Sequence, residues 1–304
     1  MIYTVTLNPA VDYYLSFKEF NEGKLNGAEK AYSLPGGKGI NVSKVLKNFG
    51  TASEALGFVG GFTGEFIKNN LIEDGVDFNF IELSEPTRIN VKMNNNGLET
   101  EIAGVSPEIS EEKASQFLMS FKEMRSGDIL VLSGSVPKSL KDSIYGDIIS
   151  NLPNGVKVIL DTRGAAFDIA LKKGVFLIKP NQHEIEEYFN KKFETRAELL
   201  LAGKELQKLG AENVLISLGG DGSVLITKDE IYFGGVPKGK LISSVGAGDS
   251  MVAGFIYGVS KGKTLVEAYK HGIASGSGTA FSEGLVTLET MEKLYCEIEI
   301  KDVK

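Results

Sequence analysis

The stretch VKVILDTRGAAFDIALKKGVFLIKPNQHE, residues 156–184, decides the fold of this chain. Val156 to Leu160 and Val175 to Ile178 are short apolar runs rich in β-branched residues, and a helical segment separates them. Strand, helix and strand in so short a span make a parallel crossover unit. The alternation continues outward on both sides. Upstream, a helix follows Ser110 and a strand runs from Ile129 to Leu132; downstream come helices and a strand from Val214 to Ile216. Such repetition predicts an α/β fold with a mostly parallel central sheet covered by helices. Capping-box spacings place helix starts at Ser139 with Asp142, Thr195 with Glu198 and Thr264 with Glu267. The final third adds a hairpin-like pair near Ser223 to Phe233, then helices from Ala247 to the end.

The N-terminal third departs from this rhythm. Ile2 to Leu7 is a β-rich run that stops at Asn8-Pro9, with Asp12 just beyond the turn. Residues 13–34 alternate loosely between apolar and polar. Thr87 to Met93 alternates strictly, putting Arg88, Asn90 and Lys92 on one face and Ile89, Val91 and Met93 on the other, and a turn at Asn94 to Gly97 leads to a return strand from Leu98 to Ile102. We expect a small β-sheet formed by about 12–34 and 86–104, inserted in one domain spanning 1–304. Between its two parts, Pro35 to Asn41 opens a helix with Val42, Val45, Leu46 and Phe49 on one face, and Ala55 to Val59 begins the core alternation before Gly60-Gly61.

A chain of 304 residues with 42% hydrophobic content buries a large core. Its net charge of −7, with no long basic block, excludes nucleic acid and an anionic membrane as main partners. An anionic substrate therefore needs a local basic pocket. Cys296 is the only cysteine, which leaves no disulfide framework or thiolate-rich metal site and fits a reducing, cytoplasmic setting. No apolar run approaches the ~20 residues that span a bilayer, and the first residues carry no basic leader. The sequence also lacks a G-x-x-x-x-G-K-[ST] loop and a G-x-G-x-x-G after a strand; Gly258 to Thr264 falls one residue short of the former. His183 and His271 have no metal-ligand spacing.

The chemistry concentrates at Val245-Gly246-Ala247-Gly248-Asp249-Ser250, ahead of the apolar run Met251 to Val259. Two glycines flanking an alanine at a helix entrance let backbone N–H groups converge on one small volume, where the helix dipole favours an anion. Asp249 falls in the first helical turn, within reach of a hydroxyl beside that volume, and reads either as a general base or as a helix-capping acid. Several strands end in polar, turn-prone clusters: Asn8-Pro9, Ser133 to Pro137, Lys179-Pro180-Asn181 and Ser217 to Gly220. Open α/β sheets bind ligands beyond the carboxyl ends of their strands, so these clusters read as one shared rim or as separate ordinary loops.

Eight stretches, in this order, resemble the ribokinase-like family of carbohydrate kinases: TLNPAVD (6–12), PGGKGINVSKVL (35–46), GFVGGFTG (57–64), TRINVK (87–92), SGSVP (133–137), KPNQHE (179–184), SLGGDG (217–222) and SSVGAGDS (243–250). The resemblance spans nearly the whole chain. It implies a three-layer α/β/α sandwich with a β-sheet lid, and an ATP-dependent kinase acting on a phosphorylated ketose. The expected acceptor is the 6-hydroxyl of fructose 1-phosphate; tagatose 6-phosphate, or a non-catalytic sugar-phosphate sensor, is the alternative.

The same resemblance implies roles for single residues. Asp249 matches the base, and Gly246, Ala247 and Gly248 match the anion hole. Asp12 and Asn41 match groups that hold sugar hydroxyls, with Gly36, Gly37 and Ser135 beside them. Arg88 and Lys38 suit the substrate's phosphate, by a fork and a point charge. Lys24 and Lys92 fit the same pocket, or are solvated lid lysines. Lys179, Asn181, Ser217, Gly219, Gly222, Ser243 and Gly248 match positions near ATP. Glu184 matches an acid that holds Mg²⁺, directly or through water, and reads equally as a first-turn acid of its helix. Carbonyls near Ser243 and Val245 are expected to bind a monovalent cation such as K⁺, with Ser282 and Val286 in the neighbouring loop. The exposed edge of the lid is expected to pair with a second copy in a homodimer.

Overall fold

The computed structural model describes residues 1–303. In chain order the elements are β1 (Ile2–Thr6), β2 (Ala10–Phe17), β3 (Lys30–Gly36), α1 (Lys38–Asn48), β4 (Glu54–Gly60), α2 (Gly61–Glu73), β5 (Asp77–Leu83), β6 (Ile89–Asn95), β7 (Leu98–Ile102) and α3 (Glu111–Met119). There follow β8 (Ile129–Ser133), α4 (Ile144–Ser150), β9 (Lys157–Asp161), α5 (Gly164–Leu171), β10 (Val175–Ile178), α6 (Gln182–Phe189), α7 (Arg196–Leu209) and β11 (Ala211–Ser217). The chain ends with β12 (Ser223–Ile226), β13 (Ile231–Gly234), α8 (Ala247–Ser260), α9 (Leu265–Ala280), α10 (Leu288–Glu297) and β14 (Ile300–Asp302).

A 10-stranded sheet in the order β14-β13-β12-β11-β10-β9-β8-β1-β4-β5 forms the body. Strands from β11 to β5 are parallel; β12, β13 and β14 extend the sheet antiparallel. The central strands are apolar on both faces because helices cover both. Leu130 and Leu132 of β8 pack with Phe117, Tyr145, Phe167 and Leu206 from α3, α4, α5 and α7. Ile129 and Val131 pack on the other side with Val45, Val252, Phe255, Ile273 and Met291 from α1, α8, α9 and α10. The expected α/β/α layering with a mostly parallel sheet is what the chain adopts.

The parallel register brings the carboxyl ends of β1, β8, β9, β10 and β11 to one rim. Over it stands a second sheet of 4 strands, β3-β2-β6-β7. Its faces differ in chemistry. Asp12, Tyr14, Asn90 and Lys92 share one face, while Tyr13, Leu15, Val91, Met93 and Ile102 share the other.

Two local expectations fail. Ser139 starts no helix: its Oγ instead accepts the Ile109 N–H at 3.1 Å and donates to the Pro107 carbonyl, and α4 begins at Ile144. That hydroxyl is spent tying two loops together. The chain also does not finish in helix, since Ile300–Asp302 adds to the free edge of β13 and satisfies backbone groups there. The capping boxes at Thr195 with Glu198 and Thr264 with Glu267 form as read.

Candidate active site

α8 begins where the loop after β13 turns back over the rim. Gly246 caps it at φ 77°, a left-handed conformation that favours glycine, and Asp249 sits in its first turn. The turn is fixed from behind by close helix packing: a Cβ on Gly254 would lie 2.2 Å from Ser275 Oγ, and Ser250 and Thr279 hydroxyls bond at 2.7 Å. The N–H of Ala247 points to the Ser244 carbonyl at 3.2 Å. Gly246, Ala247 and Gly248 thus stand together at the start of α8, where the first N–H groups of a helix have no partner within it.

Asp249 is buried, and its Oδ2 accepts from Asn41 Nδ2 at 2.7 Å. Burial and the neighbouring Asp161 carboxylate push its pKa up to about 6, while the Asn41 bond, Lys38 and Lys179 restrain the rise. Such a group is ionised near neutral pH yet basic enough to take a proton. Asp161, at the end of β9, was not singled out from the sequence, and it organises the cluster. It lies 2.9 Å from Lys38 Nζ and 3.7 Å from Lys179 Nζ. Burial works against its charge, but the two ammonium groups overcome that and hold its pKa low. Burial likewise opposes the charge on Lys38, and Asp161 more than compensates. A Cβ on Gly248 would meet Lys179 Nζ at 3.3 Å, so that ammonium stands at the mouth of α8.

α1 opens on the same rim with Gly37 as its cap at φ 144°. A Cβ on Gly37 would lie 2.6 Å from Thr6 Cγ2, and one on Gly36 would lie 2.6 Å from Asp12 Cγ, so both glycines make room where β1, α1 and the small sheet meet. Asp12 accepts from Asn90 Nδ2 at 2.8 Å and pairs with Lys92 at 3.1 Å. Lys92 also lies 5.5 Å from the Tyr14 ring centre. It is therefore engaged by groups on its own face of the small sheet. Arg88 Nη2 donates to the Asn8 carbonyl at 3.0 Å, its Nε is buried without a partner, and burial pulls its pKa down. An unpaired guanidinium N–H in this position is available to an anion. Ser135 Oγ accepts from Asn8 Nδ2 at 3.3 Å. Lys24 is exposed in the loop between β2 and β3, with its backbone N–H on Asn21.

Along the rim, Asn181 and Ser217 form an isolated parallel bridge, and Gly219 and Gly222 shape the turn after β11 at φ 59° and 94°. Ser243 Oγ accepts the Val245 N–H at 3.2 Å, and the Ser243 N–H donates to Ala280. Glu184 closes a capping box with Asn181: its Oε2 accepts the Asn181 N–H at 2.9 Å, and Asn181 Oδ1 accepts the Glu184 N–H at 2.8 Å. The first-turn role read for Glu184 is thus real, and it leaves one carboxylate oxygen uncommitted. His183 is exposed, and His271 lies in α9 against Tyr257 and Tyr295. Among the described residues no group of three or more His, Cys, Asp or Glu is placed to hold a metal, and no helix is long and apolar enough to cross a membrane.

The arrangement can bind an anion at a helix mouth flanked by two ammonium groups, orient hydroxyls on Asp12 and Asn41, and remove a proton at Asp249. Comparison with known proteins points the same way. The chain is 48% identical to the 1-phosphofructokinase of Bacillus subtilis over 301 residues, covering 99% of each. It is 44% identical to the 1-phosphofructokinase of Borreliella burgdorferi, covering 100% of this chain and 99% of that one, and 35% identical to the D-tagatose-1-phosphate kinase of Bacillus licheniformis, covering 99% of each. Among solved structures, phosphofructokinase-2 from Escherichia coli in complex with potassium matches with a TM-score of 0.92 at 29% identity, and its tetrameric inhibited form with 0.90 at 29%; each match covers 97% of this chain and 98% of that one. The model of the pfkB family carbohydrate kinases matches residues 5–291, and the chain belongs to that family.

Proposed function

We propose that the chain transfers the γ-phosphoryl group of ATP to the 6-hydroxyl of fructose 1-phosphate, giving fructose 1,6-bisphosphate and ADP. The observation that carries this reading is the buried Asp249 at the mouth of α8, bonded to Asn41 and set between Lys38, Lys179 and the glycine donors. Asp249 accepts the hydroxyl proton as O6 bonds to the γ-phosphorus; the bond from that phosphorus to the bridging oxygen breaks and ADP leaves with the electron pair. Phosphoryl transfer depends on positioning and charge neutralisation, which this cluster supplies. Arg88 takes the 1-phosphate with its free N–H groups, and Asp12 and Asn41 hold the ring hydroxyls. Lys179, Asn181, Ser217 and the Gly219 to Gly222 turn line the nucleotide side.

Glu184 fits Mg²⁺ in a particular way. One oxygen is engaged by the Asn181 N–H and the other accepts no hydrogen bond, and among the described residues no group of three or more His, Cys, Asp or Glu surrounds it. A hard divalent ion held by one carboxylate takes its other ligands from phosphate oxygens and water, and when bound it neutralises charge on the nucleotide phosphates. K⁺ belongs beside the Ser243 to Val245 loop, which is stitched to the end of α9 through the Ala280 carbonyl.

A second reading has its own support: the relative named for D-tagatose 1-phosphate. The assay is ADP release with Mg-ATP in K⁺ and in Li⁺ buffers, comparing fructose 1-phosphate, D-tagatose 1-phosphate, tagatose 6-phosphate and fructose 6-phosphate at equal sub-saturating concentration. Fructose 1-phosphate is expected to turn over fastest. A lead for either tagatose ester transfers the assignment to that sugar, and no turnover with any of them leaves a sensor.

The apolar outer face of the small sheet, with Tyr13, Ile89, Leu98 and Ile102 exposed, suits a second copy of the chain. Sedimentation at assay concentration is expected to give a dimer, and Val91→Glu is expected to give a monomer. A monomeric parent protein removes the idea.

A further inference from the structure

The amide of Asn41 touches the proposed base and lies beside the anion hole at the same time. Its Nδ2 donates to Asp249 Oδ2 at 2.7 Å, and a Cβ on Gly246 would come within 4.0 Å of the same nitrogen. Asn41 itself is fixed in the first turn of α1, its backbone N–H on the Gly37 carbonyl at 2.9 Å. α1 in turn is locked to β1: the Ile40 N–H donates to Thr6 Oγ1 at 3.1 Å, and a Cβ on Gly39 would strike the Val5 carbonyl at 2.6 Å. The amide thus rests on the rigid body of the molecule and not on the small sheet.

A carboxylate has two oxygens of equal basicity, and an unrestrained side chain can present either or neither to a hydroxyl. We infer that Asn41 is a positioning residue for the base: by holding Oδ2 with a donor that does not titrate, it leaves Oδ1 as the oxygen that receives the substrate proton. This rests on Asp249 being the base. It gives Asn41 a role beyond the sugar-hydroxyl contact implied by the family resemblance, in which its Oδ1 and second N–H remain free for the sugar. A hydrogen bond to the ionised form also favours that form, so the same contact keeps Asp249 charged close to neutral pH against the burial and the Asp161 carboxylate that oppose it. The other charges acting on Asp249 are Lys38 from α1 and Lys179 from the β10 rim, both already paired with Asp161.

The experiment compares Asn41→Ala and Asn41→Ser with the parent chain, measuring kcat and KM for fructose 1-phosphate from about pH 5 to about pH 9. Both variants are expected to move the acid limb of kcat up by about one unit or more, the scale of a lost bond to an ionised group. The KM for the sugar is expected to rise as well, because the sugar contacts of Asn41 are lost with the amide, so the position of the pH limb is the readout that separates the two roles. An unmoved limb with a KM raised about tenfold assigns Asn41 to the sugar alone and overturns the inference. If neither variant folds, the side-chain ¹⁵N resonance of Asn41 in the parent protein decides. It is expected to titrate near pH 6, with Asp249, and to stop titrating in Asp249→Asn; a resonance flat through that range overturns the inference. Failure of the underlying reading looks different, because Asp249→Asn would then retain full turnover whatever Asn41 does.

Discussion

Two sets of charged groups face each other across the rim, and they are built differently. On the body side, Asp161 and Lys179 are 4% and 6% exposed and belong to strand ends of the large sheet. On the small-sheet side, Asp12 and Lys92 are 13% and 22% exposed and belong to a four-stranded sheet whose outer face is uncovered. Buried charges interact strongly and shift one another, as the raised pKa of Asp249 and the lowered pKa of Asp161 show. Charges that reach solvent in part are partly screened and can exchange one partner for another at lower cost than fully buried ones. The body set is suited to moving a proton and stabilising a phosphoryl group. The small-sheet set is suited to recognising the sugar phosphate and releasing its product.

The two sets differ most sharply at Asp249. Asp249→Asn keeps the size of the side chain and removes the base, so kcat is expected to fall about 10²- to 10⁴-fold with little change in either KM. Steady-state kinetics over a pH series checks this. In the parent protein the base must be ionised, so kcat falls as pH drops through about 6, and the raised carboxyl gives the limb that position. Asp249→Asn is expected to lose that limb along with the rate. A variant that keeps parent-like turnover would falsify the division between the two sets, because the proton would then leave by another route.

How much of this was legible in the sequence depends on how far apart the partners lie along the chain. The parallel sheet was readable because each strand and helix declares itself within a dozen residues, and Val175–Ile178 begins and ends as read. The mouth of α8 was readable for the same reason, since Gly246, Gly248 and Asp249 are contiguous. Asp161 was not. It ends the run VKVILD as an ordinary polar strand terminus, and its partner Lys38 is 123 residues away. Only the register of β1, β8 and β9, with α1 seated on β1 through Thr6, brings them together. The contact between Asn41 and Asp249 spans 208 residues and was equally hidden. Ser139 shows the opposite failure, a local capping signal overridden when its hydroxyl found partners at Pro107 and Ile109. The three residues of β14 carry too short a pattern to announce a strand, and they form one because β13 offers an open edge.

A smaller effect is expected on the small-sheet side. Arg88 precedes β6 and fastens the small sheet to the body through the Asn8 carbonyl at 3.0 Å, with a buried Nε to spare. Its fork can hold that carbonyl and a phosphate oxygen together, and a lysine has one nitrogen for both tasks. Arg88→Lys is therefore expected to raise the KM for the sugar phosphate about tenfold and to leave the KM for ATP and the pH limb of kcat where they were. Kinetics with each substrate varied in turn checks it. The charge stays at +1, so a loss of affinity measures geometry and not net electrostatics. If kcat falls as far as KM rises, the phosphate contact contributes to the transition state, and the small sheet takes part in the chemistry that the present comparison gives to the body alone.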